Sequence, residues 1–112
     1  MSTMKYHNIK TLYHGTVYDS KKEAKRAFEL DMLQRAGYIS HLERQKSFEL
    51  QPSFKAQGKT EKAITYVADF YYFDNSKKKW VAEDTKGFRT DVYKIKRKLF
   101  LYRFGDILFL ES

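Results

Sequence analysis

The stretch Ala63–Phe73 reads Ala-Ile-Thr-Tyr-Val-Ala-Asp-Phe-Tyr-Tyr-Phe, a run of β-branched and aromatic side chains interrupted by one charge, Asp69. Such composition specifies a strand. The Asp74-Asn75-Ser76-Lys77-Lys78 cluster that follows is turn chemistry, and Lys79–Lys86 (Lys-Trp-Val-Ala-Glu-Asp-Thr-Lys) reads as the returning strand of a hairpin. With the turn centred on Ser76-Lys77, Asp69 falls opposite Asp84. Strand side chains alternate between faces. Val67, Asp69 and Tyr71 are therefore expected on one face of the first strand. Trp80, Ala82, Asp84 and Lys86 share a face of the second, with Val81, Glu83 and Thr85 turned away.

The remaining elements are read around this hairpin. Ser20-Lys21-Lys22-Glu23 has the spacing of a capping box and opens a helix predicted over 21–36, with Ala24, Phe28 and Met32 as its apolar stripe, Ala27 and Leu30 widening it, and Gly37 ending it. Residues 39–54 carry a strand pattern that ends at Pro52, the one proline in the chain. A second helix is predicted over 90–103, with Val92, Ile95, Leu99 and Tyr102 as its stripe. Gly105 ends it, and Ile107–Leu110 reads as a short buried strand. The order is αβββαβ, which gives an α/β fold with a four-stranded mixed sheet and a helix on either side. Residues 1–19 are expected to form an N-terminal arm or short ribbon, with Tyr13–Tyr18 as the ribbon, and residues 20–112 the domain proper. Gln57-Gly58-Lys59-Thr60 imitates the end of a phosphate-binding loop, but Ser53 stands where the first glycine is needed and a strand follows.

Composition narrows the chemistry. The 112 residues include no cysteine and three scattered histidines (His7, His14, His41), which excludes disulfides, thiolate nucleophiles and cysteine zinc sites and leaves oxygen as the donor for any metal. No segment approaches the ~20 apolar residues of a membrane span, and the N-terminus has no signal-peptide pattern, so a soluble intracellular protein is expected. The net charge of +8 points to a polyanionic partner. That charge is densest between Phe88 and Phe104, where six basic residues (Arg89, Lys94, Lys96, Arg97, Lys98, Arg103) face one acid, Asp91. Of these, Arg89, Lys94, Arg97 and Lys98 are the candidate phosphate contacts.

Paired residues on adjacent strands carry β-carbons about 5 Å apart, so Asp69 and Asp84 can both reach one divalent ion, with Lys86 beside them. Two carboxylates this close repel unless a cation intervenes. Magnesium suits them, because it takes oxygen ligands, keeps several waters and binds through one or two carboxylates plus substrate phosphate; manganese is the alternative. Such an ion activates water and stabilises charge on a phosphodiester, and Lys86 would orient the nucleophile or offset that charge. Glu83 competes with Asp84 as the strand acid; face alternation favours Asp84 unless a bulge shifts the register.

Glu23 on the first helix, Asp69 on the second strand and Asp84-Thr85-Lys86 on the third, followed by a basic helix, resemble the PD-(D/E)XK nuclease superfamily, whose common core is an αβββαβ unit. The segments Tyr18–Ala24, Phe48–Pro52, Ala63–Phe70 and Glu83–Phe88 further resemble a small phage-encoded family similar to Holliday-junction resolvases and phage endonuclease I. The likeness implies Asp69 and Asp84 as metal ligands, the Thr85 carbonyl as a further one, Lys86 as the catalytic lysine, and Glu23 as the helix acid that completes a second metal site or positions water, with Glu29 its competitor. Ala68 replaces the proline that names the motif. The expectation is a magnesium-dependent endonuclease selective for DNA structure, acting as a homodimer on branched DNA in the cytoplasm of a bacterial host. A catalytically silent nucleic-acid-binding module and a phage accessory protein acting on a host factor are the rival readings.

Overall fold

The computed structural model describes residues 10–85 and 89–112. Lys86, the expected catalytic lysine, and the first nine residues of the N-terminal arm therefore lie outside the described residues. Two short strands, β1 (Thr11–Tyr13) and β2 (Thr16–Tyr18), form an antiparallel ribbon ahead of helix α1 (Lys21–Arg35). Ser20 caps α1, its hydroxyl accepting the Glu23 amide at 3.1 Å. At the other end Gly37 takes a φ of +87°, and the Gly37 and Tyr38 amides close onto the carbonyls of Gln34 and Leu33. That closure needs a left-handed residue, which glycine supplies without steric cost.

The main sheet contains β3 (Ile39–Gln51), β6 (Ile64–Asp74), β7 (Lys79–Asp84) and β8 (Leu108–Glu111), in that spatial order. β3, β6 and β7 pair antiparallel, and β8 runs parallel to β7 after the crossover through α2 (Asp91–Arg103). The sheet is thus mixed, flanked by two helices, in the expected element order. The β6–β7 hairpin closes at Asp74↔Lys79, so its turn is centred on Ser76-Lys77 as expected. Asp74 organises that turn by accepting the Ser76 and Lys77 amides, both at 2.9 Å. One element was not anticipated: β4 (Phe54–Ala56) and β5 (Lys59–Glu61) form a small hairpin between β3 and β6. The Gln57-Gly58 pair at its tip lies at positive φ, where a two-residue hairpin turn requires it.

Two apolar clusters lie on the two sides of the sheet. The α1 side buries Tyr18, Ala24, Ala27, Leu30, Ile39, Phe70, Tyr72 and Val81. The α2 side buries Phe48, Leu50, Tyr66, Ala68, Ala82, Tyr93 and Phe100. These lists correct both helix stripes. On α1 the inward face is Glu23, Ala24, Ala27 and Leu30, while Phe28 and Met32 are largely exposed. On α2 Tyr93 and Phe100 point inward, while Val92, Ile95, Leu99 and Tyr102 face solvent. Rings decide that orientation: Phe100 packs against Phe48, Tyr66, Phe104 and Phe109, a contact set no aliphatic residue of the helix can match.

Strand alternation also breaks, beyond the irregular pairing of β3 between Ser40 and Glu43 and between Glu49 and Gln51, in the middle of the β3–β6 pair. On β6, Tyr66, Ala68 and Tyr71 pack on the α2 side, while Phe70 and Tyr72 pack on the α1 side. On β3, Leu42 packs with the α1 cluster, whereas Phe48 and Leu50 belong to the α2 cluster. Both strands therefore change faces, and the change falls at Asp69 on β6 and Gln45 on β3. Gln45 has a φ of +53°, and the β3–β6 pairs run from Arg44↔Phe70 to Lys46↔Ala68 around it. The regular sharing of one face by Val67, Asp69 and Tyr71 does not hold, since Tyr71 packs on the same side as Tyr66 and Ala68.

Candidate active site

Asp69 stands at this break in the sheet. Register carries β6 against β7 as far as Phe70↔Glu83, so the next step sets Asp69 opposite Asp84. Instead of a further ladder bond, the Asp69 carboxylate takes over: its Oδ2 accepts the Thr85 amide and the Thr85 hydroxyl, each at 2.8 Å. Asp69 is thereby held at the C-terminal end of β7, beside the residue that follows Asp84.

Asp84 is fully buried on the α2 side, where Tyr66 donates its hydroxyl to Oδ2. Burial first, then the bond to Asp84 and its charge, push the Tyr66 phenol far above its ordinary value, and Asp69 adds to that field. Glu83 points the other way. Arg26 of α1 grips it with two nitrogens, Nη2 at 3.0 Å from Oε1 and Nε on Oε2, and Tyr72 donates to Oε1 at 2.7 Å. Side-chain alternation on β7 thus separates the two neighbouring acids, placing Glu83 in the α1 interface and Asp84 on the α2 side with Tyr66.

Glu23 lies three residues into α1 and is 3% exposed. Its Oε2 accepts from Arg44 Nη2 at 3.5 Å and from Gln45 Nε2 at 3.3 Å; the same Gln45 nitrogen lies 3.5 Å from Asp69 Oδ1. Burial raises the Glu23 carboxyl above its ordinary value, the Asp69 charge raises it further, and Arg44 partly offsets both. Glu29, the competing helix acid, instead pairs with Arg26 at 3.1 Å on the half-exposed outer face. The Gln45 amide thus bridges Glu23 and Asp69, while Asp84 is tied to Tyr66. Among the described residues, no three acidic or histidine side chains converge as a ready-made metal cage. The donor set fits magnesium in its usual protein mode, one or two carboxylates with the remaining positions left to water and phosphate.

The basic residues divide. Arg89 and Arg97 both turn to Glu111 at the end of β8, with Nε–Oε2 separations of 3.1 and 3.6 Å, and Tyr93 also donates to Glu111. Burial resists ionisation of Glu111, but the Tyr93 and Arg89 bonds outweigh it and hold the carboxyl below its ordinary value. Lys94 and Lys98 are exposed on α2. Between β6 and the first turns of α2 lies an open cavity of about 330 Å³ lined by Thr65, Tyr66, Val67, Thr90, Val92, Tyr93 and Lys96, so Tyr66 separates it from Asp84. Gln45, Arg44, Tyr66 and Arg26 were not singled out from the sequence. Arg26 had a signal, since a buried strand acid such as Glu83 requires a cation and Arg26 lies one turn beyond Glu23 on α1.

Fold and site together define a small mixed α/β domain in which Asp69 and Asp84 lie in register at the end of the β6–β7 ladder and Gln45 bridges Asp69 to Glu23. Residues 3–110 match a family described as protein of unknown function (DUF1064), and the chain belongs to that family. Comparisons with curated proteins and with solved structures each found no match. No helix among the described residues is long and apolar enough to cross a membrane.

Proposed function

We propose that this protein is a metal-dependent DNA endonuclease of the PD-(D/E)XK type, with Asp69, Asp84 and Lys86 as its catalytic set and Glu23 as the helix acid. The observation that carries the reading is the placement of Asp69 and Asp84 at the end of the β6–β7 ladder, where Thr85 anchors one acid beside the other. An acid embedded in an apolar strand needs a reason to be there. Repulsion of DNA phosphates by such acids serves no binding function, but a divalent ion between them reverses it. Asp69 and Asp84 would hold magnesium or manganese, with the Thr85 carbonyl as a further donor; when bound, the ion supplies Lewis-acid stabilisation of the phosphodiester and an acidified water. Lys86, carried by the sequence motif, would offset charge on the phosphate. Lys94 and Lys98 supply phosphate contacts outside the reacting centre. Selectivity is assigned to DNA shape, with branched DNA as substrate, two copies cutting as a homodimer, and a bacterial host cytoplasm as the setting.

The test is cleavage of supercoiled plasmid and a four-way junction in magnesium and in manganese. Wild-type protein should cleave; Asp69→Asn, Asp84→Asn and Lys86→Ala should each lose cleavage by at least about a hundredfold while still retarding the junction in gels. Retardation without cleavage by the wild type in either metal would leave a silent binding module, and absence of both would favour an accessory protein.

A further inference from the structure

We infer that Gln45 is a positioning residue that sets the Glu23 and Asp69 carboxylates relative to one another, a role that rests on the nuclease reading. Three observations converge on this residue. Its Nε2 lies 3.3 Å from Glu23 Oε2 and 3.5 Å from Asp69 Oδ1, so one amide spans acids contributed by α1 and β6. Its backbone has a φ of +53° inside a 13-residue strand, a conformation that glycine or asparagine adopts at lower cost. And it sits opposite Asp69 at the point where the cluster-forming residues of β3 and β6 both change faces. The strand carries a second left-handed residue, His41 (φ +58°), and irregular pairing near both ends, but Gln45 is the one whose side chain reaches two of the acids, and strained residues gather at functional sites.

The amide suits this task better than a cation would. Arg44 already reaches Glu23 from the other side, its guanidinium lying 4.3 Å from the centre of the Tyr18 ring. A second full positive charge between Glu23 and Asp69 would compete directly with a divalent ion for the same oxygens. A neutral donor orients both carboxylates without displacing the ion, the usual part of a residue that supports metal ligands from behind.

Gln45→Met keeps the length of the side chain and removes both donors. Gln45→Gly removes the amide and relieves the backbone. With full-length protein, junction affinity would be measured in EDTA, magnesium binding by calorimetry without DNA, and cleavage under saturating and limiting junction. The expected result is a tenfold to hundredfold fall in kcat and a rise of at least tenfold in the magnesium midpoint, with KM, junction affinity and Tm close to wild type. If Gln45→Met also lowers Tm, Gln45→Gly decides, because its backbone carries no strain at this φ. Unchanged kcat and unchanged magnesium midpoint in the stable variant would overturn the role of Gln45 while leaving the nuclease intact. A wild type that neither cleaves nor binds magnesium would overturn the nuclease reading and this inference with it.

Discussion

Glu83 and Asp84 are consecutive, both fully buried, and answered in opposite ways. Glu83 is saturated by Arg26 and Tyr72, so its charge is spent on joining α1 to the sheet. Removing one member of a buried pair strands the other, which typically costs about 3–5 kcal/mol. Arg26→Ala should therefore lower unfolding stability by that order in urea titrations, whereas Glu29→Ala, which loses only the half-exposed partner of Arg26, should change it by less than about 1 kcal/mol. Glu23 is placed differently. Its carboxyl titrates above the ordinary 4.5, for reasons led by burial and followed by Asp69, so the folded protein binds more protons than the unfolded chain as pH rises past that value. Stability then falls with rising pH across that window. Glu23→Gln removes the charge, and in EDTA it should raise Tm at pH 7, with the gain narrowing as pH falls and gone below the ordinary glutamate range. Loss of cleavage in the same variant would show the acid being kept for function at a cost in stability.

At the scale of elements, α2 turns Tyr93 and Phe100 to the sheet and leaves Val92, Ile95, Leu99 and the ring of Tyr102 outward. Phe100→Ala should cost about 3–5 kcal/mol, since the ring is fully buried among four others. Leu99→Ala, at a position 42% exposed, should stay within about 1 kcal/mol. Denaturant midpoints of the two variants compare the inward face with the outward one. The element order, both helix ends, the hairpin and its register were legible from composition because turn chemistry and caps are local. The helix faces were not, because more than one apolar stripe has helical spacing and only contacts across the sheet choose between them. Nor was the face change at Gln45 and Asp69, since nothing in the local sequence announces a glutamine at positive φ. Asp69 and Asp84 were legible by type and spacing and Glu23 through the resemblance; the Gln45 bridge between Glu23 and Asp69 depends on contacts between elements distant in the chain. The β4–β5 hairpin escaped notice because its strands, three residues each, are too short to show a period.

For the whole molecule, a net charge of +8 sets the strength of any interaction with a polyanion, but its local arrangement sets which residues deliver it. Each lysine that contacts a phosphate steepens the fall of log K with log salt by about 0.9 on duplex DNA. Lys94 and Lys98 are exposed, so Lys94→Ala and Lys98→Ala should each reduce the slope by about 1 and weaken junction binding in proportion. Arg89 and Arg97 are drawn to Glu111, and Glu111 in turn accepts from Tyr93. Arg97→Ala should consequently change the slope less than either lysine variant. Glu111→Gln should do the reverse: with the carboxylate neutralised, both guanidiniums are released toward phosphate, and the slope should steepen by up to about 2 units. A series of binding curves from low to moderate salt, run in EDTA to separate binding from cleavage, distinguishes these outcomes. Equal slopes for all four variants would place the DNA on a surface other than α2.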